Sequence, residues 1–185
     1  MVINKPSSSS VLDSTYPPFV GAVIAVSTGG PQTLRKFLGQ LTPQFGGTIL
    51  IVQHGPAWAL QSMARRLNKE YEFNIELAAH EMKTQNNHIY LAPGDTHLVI
   101  NPRNHRLELN NNPREHALRP AADPLFRSAA KAFGKYCVSV VLTGLGRDGT
   151  AGIKVISESG GTVLIQDPKT SIASYMPQAA IDSGV

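Results

Sequence analysis

Phe19-Val-Gly-Ala-Val-Ile-Ala-Val-Ser-Thr-Gly-Gly-Pro-Gln-Thr-Leu-Arg-Lys-Phe-Leu38 is the stretch that decides the fold. Its first eight residues, Phe19 to Val26, are apolar and rich in β-branched side chains, as expected of a strand buried on both faces. Gln32 to Leu38 reads as a helix. Between them, Ser27-Thr-Gly-Gly-Pro31 turns the chain: Gly29 and Gly30 permit a sharp bend. Pro31 suits a first helical turn, where its missing N–H costs nothing. A strand that hands directly to a helix is half of a β-α-β unit, and open sheets of that kind take ligands at their carboxyl edge. The Ser27 hydroxyl stands at that edge beside the free N–H groups of a helix start. The position suits either an activated nucleophile or an anion site.

The same alternation runs along the chain. Thr48–Gln53 is a second buried strand, Ala59–Lys69 is helical, and Phe73–Leu77 alternates as a third strand. His88–Ala92, His97–Ile100 and Arg106–Leu109 are short strands separated by turn chemistry at Pro93-Gly94-Asp95 and Asn101-Pro-Arg-Asn104, which predicts an antiparallel meander. Asp123–Phe133 is helical, Val138–Leu142 a strand, Thr150–Ser159 helical, Thr162–Gln166 a strand, and Pro177–Asp182 a short helix. Strands alternating with helices imply right-handed crossovers and a mostly parallel sheet. Residues 1 to 17 are Ser- and Pro-rich and read as a flexible leader, with one folded unit over 18–185.

Composition narrows the function classes. The chain has 185 residues, 42% hydrophobic and 16% charged, enough for one well-packed core. No apolar run approaches the roughly 18 residues that span a bilayer, and the first ten residues lack the apolar core of a secretion signal. The single cysteine, Cys137, excludes an internal disulfide framework and points to the cytoplasm. The net charge of +4 is spread without a dense basic cluster or interleaved aromatics, so nucleic-acid binding is not expected. Arg65 and Arg66 fit the solvated face of a helix.

Three strand ends carry candidate chemistry: Val26 leads to Ser27, Gln53 to His54, and Leu142 to Thr143-Gly-Leu-Gly-Arg-Asp-Gly149. In a parallel sheet these ends share one edge, so Ser27, His54 and Asp148 can converge from distant positions. That set suits acyl transfer: a neutral imidazole takes the serine proton, and a carboxylate holds the imidazole. Glycine-loop N–H groups can hold an oxyanion. Each residue also has a plainer reading. Ser27 could cap a helix or bind phosphate, and Asp148 could cap the helix after Gly149. Asp95 suits its turn and Asp123 the capping of a helix, while Asp167, also just past a strand, is the rival third member. His54 stands above His80, His88, His97, His105 and His116 because it directly follows a buried strand. Gly144, Gly146 and Gly149 alone are compatible with a phosphate cradle. The chain lacks the Walker lysine pattern, a Gly-x-Gly-x-x-Gly after its first strand, and Gly-x-Ser-x-Gly. It also lacks zinc-ligand spacing.

Ile24-Ala-Val-Ser-Thr-Gly-Gly-Pro31, Ile51-Val-Gln-His54, Ile89-Tyr-Leu-Ala-Pro-Gly-Asp95, Arg119-Pro-Ala-Ala-Asp-Pro-Leu-Phe-Arg-Ser-Ala130, Leu142-Thr-Gly-Leu-Gly-Arg-Asp-Gly-Thr-Ala-Gly152, Ile165-Gln-Asp167 and Tyr175-Met-Pro-Gln-Ala-Ala-Ile181 occur in that order. Together they resemble the catalytic domain of the chemotaxis protein-glutamate methylesterases, the CheB type, from about Phe19 to Val185. The resemblance implies an α/β fold: a doubly wound, mostly parallel sheet flanked by helices with an antiparallel hairpin. It implies a serine hydrolase that removes methyl groups from γ-glutamyl methyl esters on chemoreceptor signalling helices, with possible deamidation of receptor glutamines. On that reading Ser27, His54 and Asp148 are catalytic, Thr28 and the Leu145 N–H lie on the oxyanion side, and neither a metal nor an organic cofactor is required. The sequence departs from the family pattern at Ala25-Val26, at Gly55, at Leu145 where methionine is usual, and over residues 110–118. The receiver domain usual in the family is expected to be missing from this chain, as in an excised catalytic domain or a stand-alone member. The alternatives are a non-catalytic module of the same fold that docks receptors or partners, and a phosphate or nucleotide binder using the Ser27–Gly30 turn.

Overall fold

The computed structural model describes residues 20–185. The expected leader over 1–17, and Phe19 at the start of the first strand, lie outside the described residues.

Among the described residues eight strands and five α-helices follow in chain order: β1 (Val20–Val26), α1 (Gly30–Leu38), β2 (Gly47–Gln53), α2 (Ala57–Glu70), β3 (Asn74–Leu77), β4 (His88–Leu91), β5 (His97–Ile100), β6 (Leu107–Asn110), α3 (Ala122–Phe133), β7 (Cys137–Val141), α4 (Thr150–Glu158), β8 (Thr162–Ile165) and α5 (Tyr175–Asp182). Six strands make a parallel sheet in the order β3-β4-β2-β1-β7-β8. β5 and β6 pair as a separate antiparallel hairpin.

The central strands have apolar side chains at successive positions because both faces are covered. On one face, Ile24 and Val26 of β1 and Ile49 and Ile51 of β2 pack with Leu34 and Leu38 of α1 and Met63 and Leu67 of α2. On the other, Val23, Ala25, Leu50 and Val52 pack with Leu125, Phe126 and Ala129 of α3, Ile153 of α4 and Met176 of α5. Leu98, Ile100 and Leu107 of the hairpin join this second layer. The result is a doubly wound, Rossmann-like sandwich. From β1 the chain passes to β2, skips to the edge for β3, returns to place β4 between them, then crosses to the other side of β1 for β7 and β8. The crevice between the carboxyl ends of β1 and β7 is therefore the topological switch point, where such sheets bind ligands.

One expectation is corrected. The pattern over 88–109 predicts a three-strand antiparallel meander, yet β4 enters the parallel sheet between β2 and β3. Ile89, Tyr90 and Leu91 are all buried, as a central strand requires. Only β5 and β6 form the hairpin. The short turn around Pro93 to Thr96 leads out of the sheet to its carboxyl edge rather than reversing alongside β4.

The α3–α4 contact bears directly on the edge of the sheet where Asp148 stands. Gly152 in α4 lets that helix lie against Phe126: a Cβ there would come within 2.4 Å of the Phe126 Cβ. The obstacle lies next to the backbone and cannot swing aside. Gly152→Ala is expected to cost about 1–3 kcal/mol despite the better helix propensity of alanine, measured as a lower urea midpoint with an unchanged m-value.

Candidate active site

The parallel ladder places the first two candidate residues. Ser27 N–H donates to Thr143 O at 2.9 Å, and His54 N–H donates to Val26 O at 3.0 Å. Each therefore stands one residue beyond its strand, on the same edge. The buried Gln53 side chain ties the two loops: its Nε2 donates to Ser27 O at 3.0 Å and to His54 O at 2.9 Å. Thr143, also buried, donates through Oγ1 to Thr28 O at 2.9 Å and accepts Ala173 N–H at 2.9 Å. Gly144 supplies room: a Cβ there would stand 2.8 Å from Ser27 Cβ and 2.1 Å from Met176 Sδ.

Asp148 arrives from the loop after β7. His54 Nε2 lies 2.7 Å from Asp148 Oδ2, with the two side chains only 7% and 1% exposed. Asp148 also accepts N–H bonds from Ala122 (2.6 Å), Asp123 (3.1 Å) and Gly149 (2.9 Å). Burial alone would raise its pKa. The hydrogen bond from His54 and the amides of Ala122 and Asp123 outweigh burial and hold it below the ordinary carboxylate value. The ring is thus turned with Nε2 toward the acid, leaving Nδ1 as its second site for a proton.

Ser27 and His54 line one cleft of about 430 Å³, together with Trp58, Met63 and Arg66. Among the described residues, no hydrogen bond joins Ser27 Oγ to His54. The Thr28 and Leu145 N–H groups are likewise unpaired within the described residues. Thr28 is exposed, and Leu145 is 54% exposed at the tip of the glycine loop.

The plainer readings of Ser27 and Asp148 do not match the geometry, whereas those of Asp95, His80, His88 and His97 do. The N-cap of α1 is Gly29 in the left-handed region, with φ of 82°, not Ser27. The N-cap of α4 is Gly149, and Asp148 caps the start of α3 instead, a long-range role that local sequence does not suggest. A phosphate cradle at α1 is short of donors, since Gly30 N–H is spent on Ser27 O and Pro31 has none. Asp167, the rival acid, accepts Lys169 N–H at 2.9 Å and closes a turn over Pro168–Thr170. It lines a separate cavity of about 520 Å³ between α1 and β8 that includes neither Ser27 nor His54. Asp95 lies in its turn with φ of 65°. His80, His88 and His97 bond to the backbone at Leu109, Asn86 and Pro113.

Sequence reasoning passed over Gln53, Thr143 and Gly144 as organisers of the serine loop. It also set aside His116 and Asp123, which form a second pair at 2.8 Å. Asp123, 1% exposed, accepts Gly152 N–H at 2.6 Å through its other oxygen. Burial, with Asp148 close by, raises the Asp123 pKa against the opposing bonds from His116 and Gly152. Ligand atoms of His116, Asp123 and Asp148 lie within 4.8 Å of one another. Every carboxylate oxygen in that group faces an N–H donor, so the set is a hydrogen-bond network rather than a cation site. The remaining pattern, Cys137, is buried with its thiol pushed up to about 12 by desolvation, as expected for a structural residue.

The fold and site define a doubly wound α/β domain with a serine and a buried histidine–aspartate pair gathered at its switch point. The CheB methylesterase family model matches residues 22–185, and the chain belongs to that family. It is 40% identical over 173 residues to the protein-glutamate methylesterase/protein-glutamine glutaminase of Pyrococcus abyssi, covering 92% of this chain and 47% of the relative. It is 42% identical over 167 residues to a protein of the same name from Rhodospirillum rubrum, covering 87% and 43%. The chain thus spans about half the length of the curated relatives it matches. The crystal structure of the Thermotoga maritima CheB methylesterase catalytic domain superposes with a TM-score of 0.86 at 33% identity, covering 90% of this chain and 89% of that one.

The acid dependence of stability follows from Asp148. Its folded pKa is lowered, so its contribution is present above the ordinary carboxylate value of about 3.9 and is lost as pH falls through the folded value. Asp148→Asn keeps the shape but places an NH₂ group among N–H donors. It is expected to lower stability at pH 7 by about 2 kcal/mol. Asn does not titrate, so the gap from wild type should narrow toward pH 3. Asp123 has the opposite sign, but it is present in both proteins and largely cancels in the difference. Urea unfolding of both proteins at the two pH values measures this.

Proposed function

We propose that residues 18–185 form a methylesterase catalytic domain that hydrolyses γ-glutamyl methyl esters on the signalling helices of methylated chemoreceptors. The observation that carries this reading is the buried His54–Asp148 pair at 2.7 Å, sharing the switch-point crevice with Ser27. Ser27 Oγ attacks the ester carbonyl while His54 Nδ1 takes its proton. Asp148 holds the ring and stabilises the imidazolium. The Thr28 position and the Leu145 N–H receive the developing oxyanion, in keeping with their unpaired N–H groups. The imidazolium then protonates the departing methoxide, and methanol leaves. Water, activated by the same ring, cleaves the glutamyl–Ser27 ester to free a glutamate side chain. The same steps acting on a glutamine side chain release ammonia, and deamidation is part of the proposal. No step needs a metal or an organic cofactor.

The rim supports a protein as substrate. Trp58 is 75% exposed, Leu145 54%, Ile172 58% and Tyr175 68%. Trp58 lines the cleft, Leu145 adjoins Gly144, Ile172 lies against Gly29, and Met176 after Tyr175 donates to Gly144 O. Exposed apolar groups gathered round a cleft mark a docking surface. Among the described residues no helix is long and apolar enough to cross a membrane. With the single buried Cys137, that supports action in the cytoplasm on the receptor's cytoplasmic helices.

Methanol release from methylated receptor membranes tests the reading. Ser27→Ala and His54→Ala are each expected to lose about 10⁴-fold or more in turnover, because nucleophile and base act as one unit, with Asp148→Asn losing less. A serine-directed phosphonate should label Ser27 covalently. Activity should fall on the acid side as the base takes up a proton before attack, while Asp148 stays charged throughout. Wild-type release by Ser27→Ala would assign the chemistry elsewhere. A folded wild-type protein with neither release nor labelling would leave a docking module.

A further inference from the structure

The start of α3 and the start of α4 exchange caps. Asp148, just before α4, accepts the Ala122 and Asp123 N–H groups at the start of α3. Asp123, in the first turn of α3, accepts Gly152 N–H in the first turn of α4. Each acid also holds one imidazole: Asp148 holds His54 at 2.7 Å and Asp123 holds His116 at 2.8 Å. The two carboxylates are 1% exposed and adjacent. Two histidine–carboxylate pairs therefore stand back to back, one facing the Ser27 cleft and the other facing outward.

We propose that His116–Asp123 is a positioning pair that fixes Asp148 and sets how readily His54 accepts a proton. The proposal rests on the reading of His54 as the base. The Asp123 charge lies behind Asp148 in a medium where charges are weakly screened, and it favours the imidazolium on His54. His116 is placed to offset that charge. Its side chain is 29% exposed and lines an open cleft of about 460 Å³. His116 can therefore exchange its proton with water while Asp123 cannot reach solvent. The chain adopts a left-handed backbone at both His116 and Ala117, with φ of 52° and 61°, in a tight turn closed between Glu115 and Leu118. This turn is what lays the ring against Asp123.

Other charged groups surround the pair. Arg147 and Lys154 of the α4 side and Asp182 of α5 line the same cleft as His116. Glu115 is paired with Arg127 of α3. His97 of β5 is committed to Pro113 O and Ala121 N–H. On the other side of the site, Arg66 of α2 lines the Ser27 cleft with His54. None of these groups hydrogen-bonds to an Asp148 or Asp123 oxygen, whereas the ligand atoms of His116, Asp123 and Asp148 lie within 4.8 Å of one another.

The two members of the pair act on His54 with opposite signs. Asp123→Asn removes a negative charge and should move the titration of His54 down by about one pH unit. His116→Gln keeps an N–H donor for Asp123 but removes the positive charge that builds up on acidification. It should move the titration up, by about half a unit. A purely structural role would move both the same way or neither. The experiment follows the His54 ring resonances by NMR across pH in the wild type and both variants. Their melting temperatures and the acid limb of kcat/KM for methanol release are measured in parallel. Opposite shifts, matched by the acid limbs, are the expected result. Unmoved or parallel shifts in folded proteins would overturn the proposal. If Asp123→Asn does not fold, an unmoved His54 titration in His116→Gln overturns it alone. Opposite ring shifts in a protein without methanol release would uphold the pair and remove the reading of His54 as the base.

Discussion

The Asp148 carboxylate is the constraint on which the site depends. Four N–H donors converge on its two oxygens: one from His54, two from the first turn of α3 and one from Gly149. A charge with 1% exposure is tolerated only because each lone-pair direction meets a donor. The same four bonds do three mechanical jobs. They cap the start of α3, they hold the loop that leads into α4 at Gly149, and they turn the His54 ring. An acid that served only to orient a histidine would need one of these bonds. The other three make its position rigid, which is what a hydrogen bond to a reacting base requires.

The serine side of the cleft is built differently. No charge holds it. Thr143 Oγ1 pins the Ser27–Thr28 turn to the Ala173 segment, and Gln53 bridges the backbone carbonyls of Ser27 and His54. These are neutral side-chain-to-backbone bonds, buried and mutually compatible. Gly144 completes the arrangement by its lack of a side chain, because any Cβ there would displace Ser27 or Met176. The switch point brings the two halves together. β1 leads to Ser27, β2 on one side of it leads to His54, and β7 on the other side leads to Asp148. The α3–α4 cap exchange then locks the acid loop against the layer of helices behind it.

Much of this was legible in the chain before any coordinates. Hydrophobic runs broken by Gly, Pro and Asp marked the strands and helices, because buried parallel strands and amphipathic helices have different periods. The rule that parallel strands end on one edge was enough to set Ser27, His54 and Asp148 together as candidates. The motif order pointed to the family that the comparisons then established. The pattern failed at β4. A short apolar strand followed by a turn reads the same whether its neighbour is the next strand or one already laid down. Only the pairing of both its edges, with β2 and β3, and the burial of both its faces in the two core layers decide between them.

The roles of the acids were beyond local sequence for a related reason. An aspartate before Gly149 and another in the first turn of α3 both read as caps of their own helices, since sequence reveals neighbours along the chain and not across it. In the folded protein Asp123 caps the other helix and Asp148 caps α3 while holding His54. His116 ranked low among six histidines because it follows no strand, and only the left-handed turn brings its ring to Asp123. The sequence by itself determined the alternation of elements, the residues able to do chemistry and the edge on which they stand. These depend on side-chain type and spacing. The tertiary structure decided which donor meets which acceptor, because hydrogen bonds between segments 25 to 94 residues apart exist only once the layers have packed.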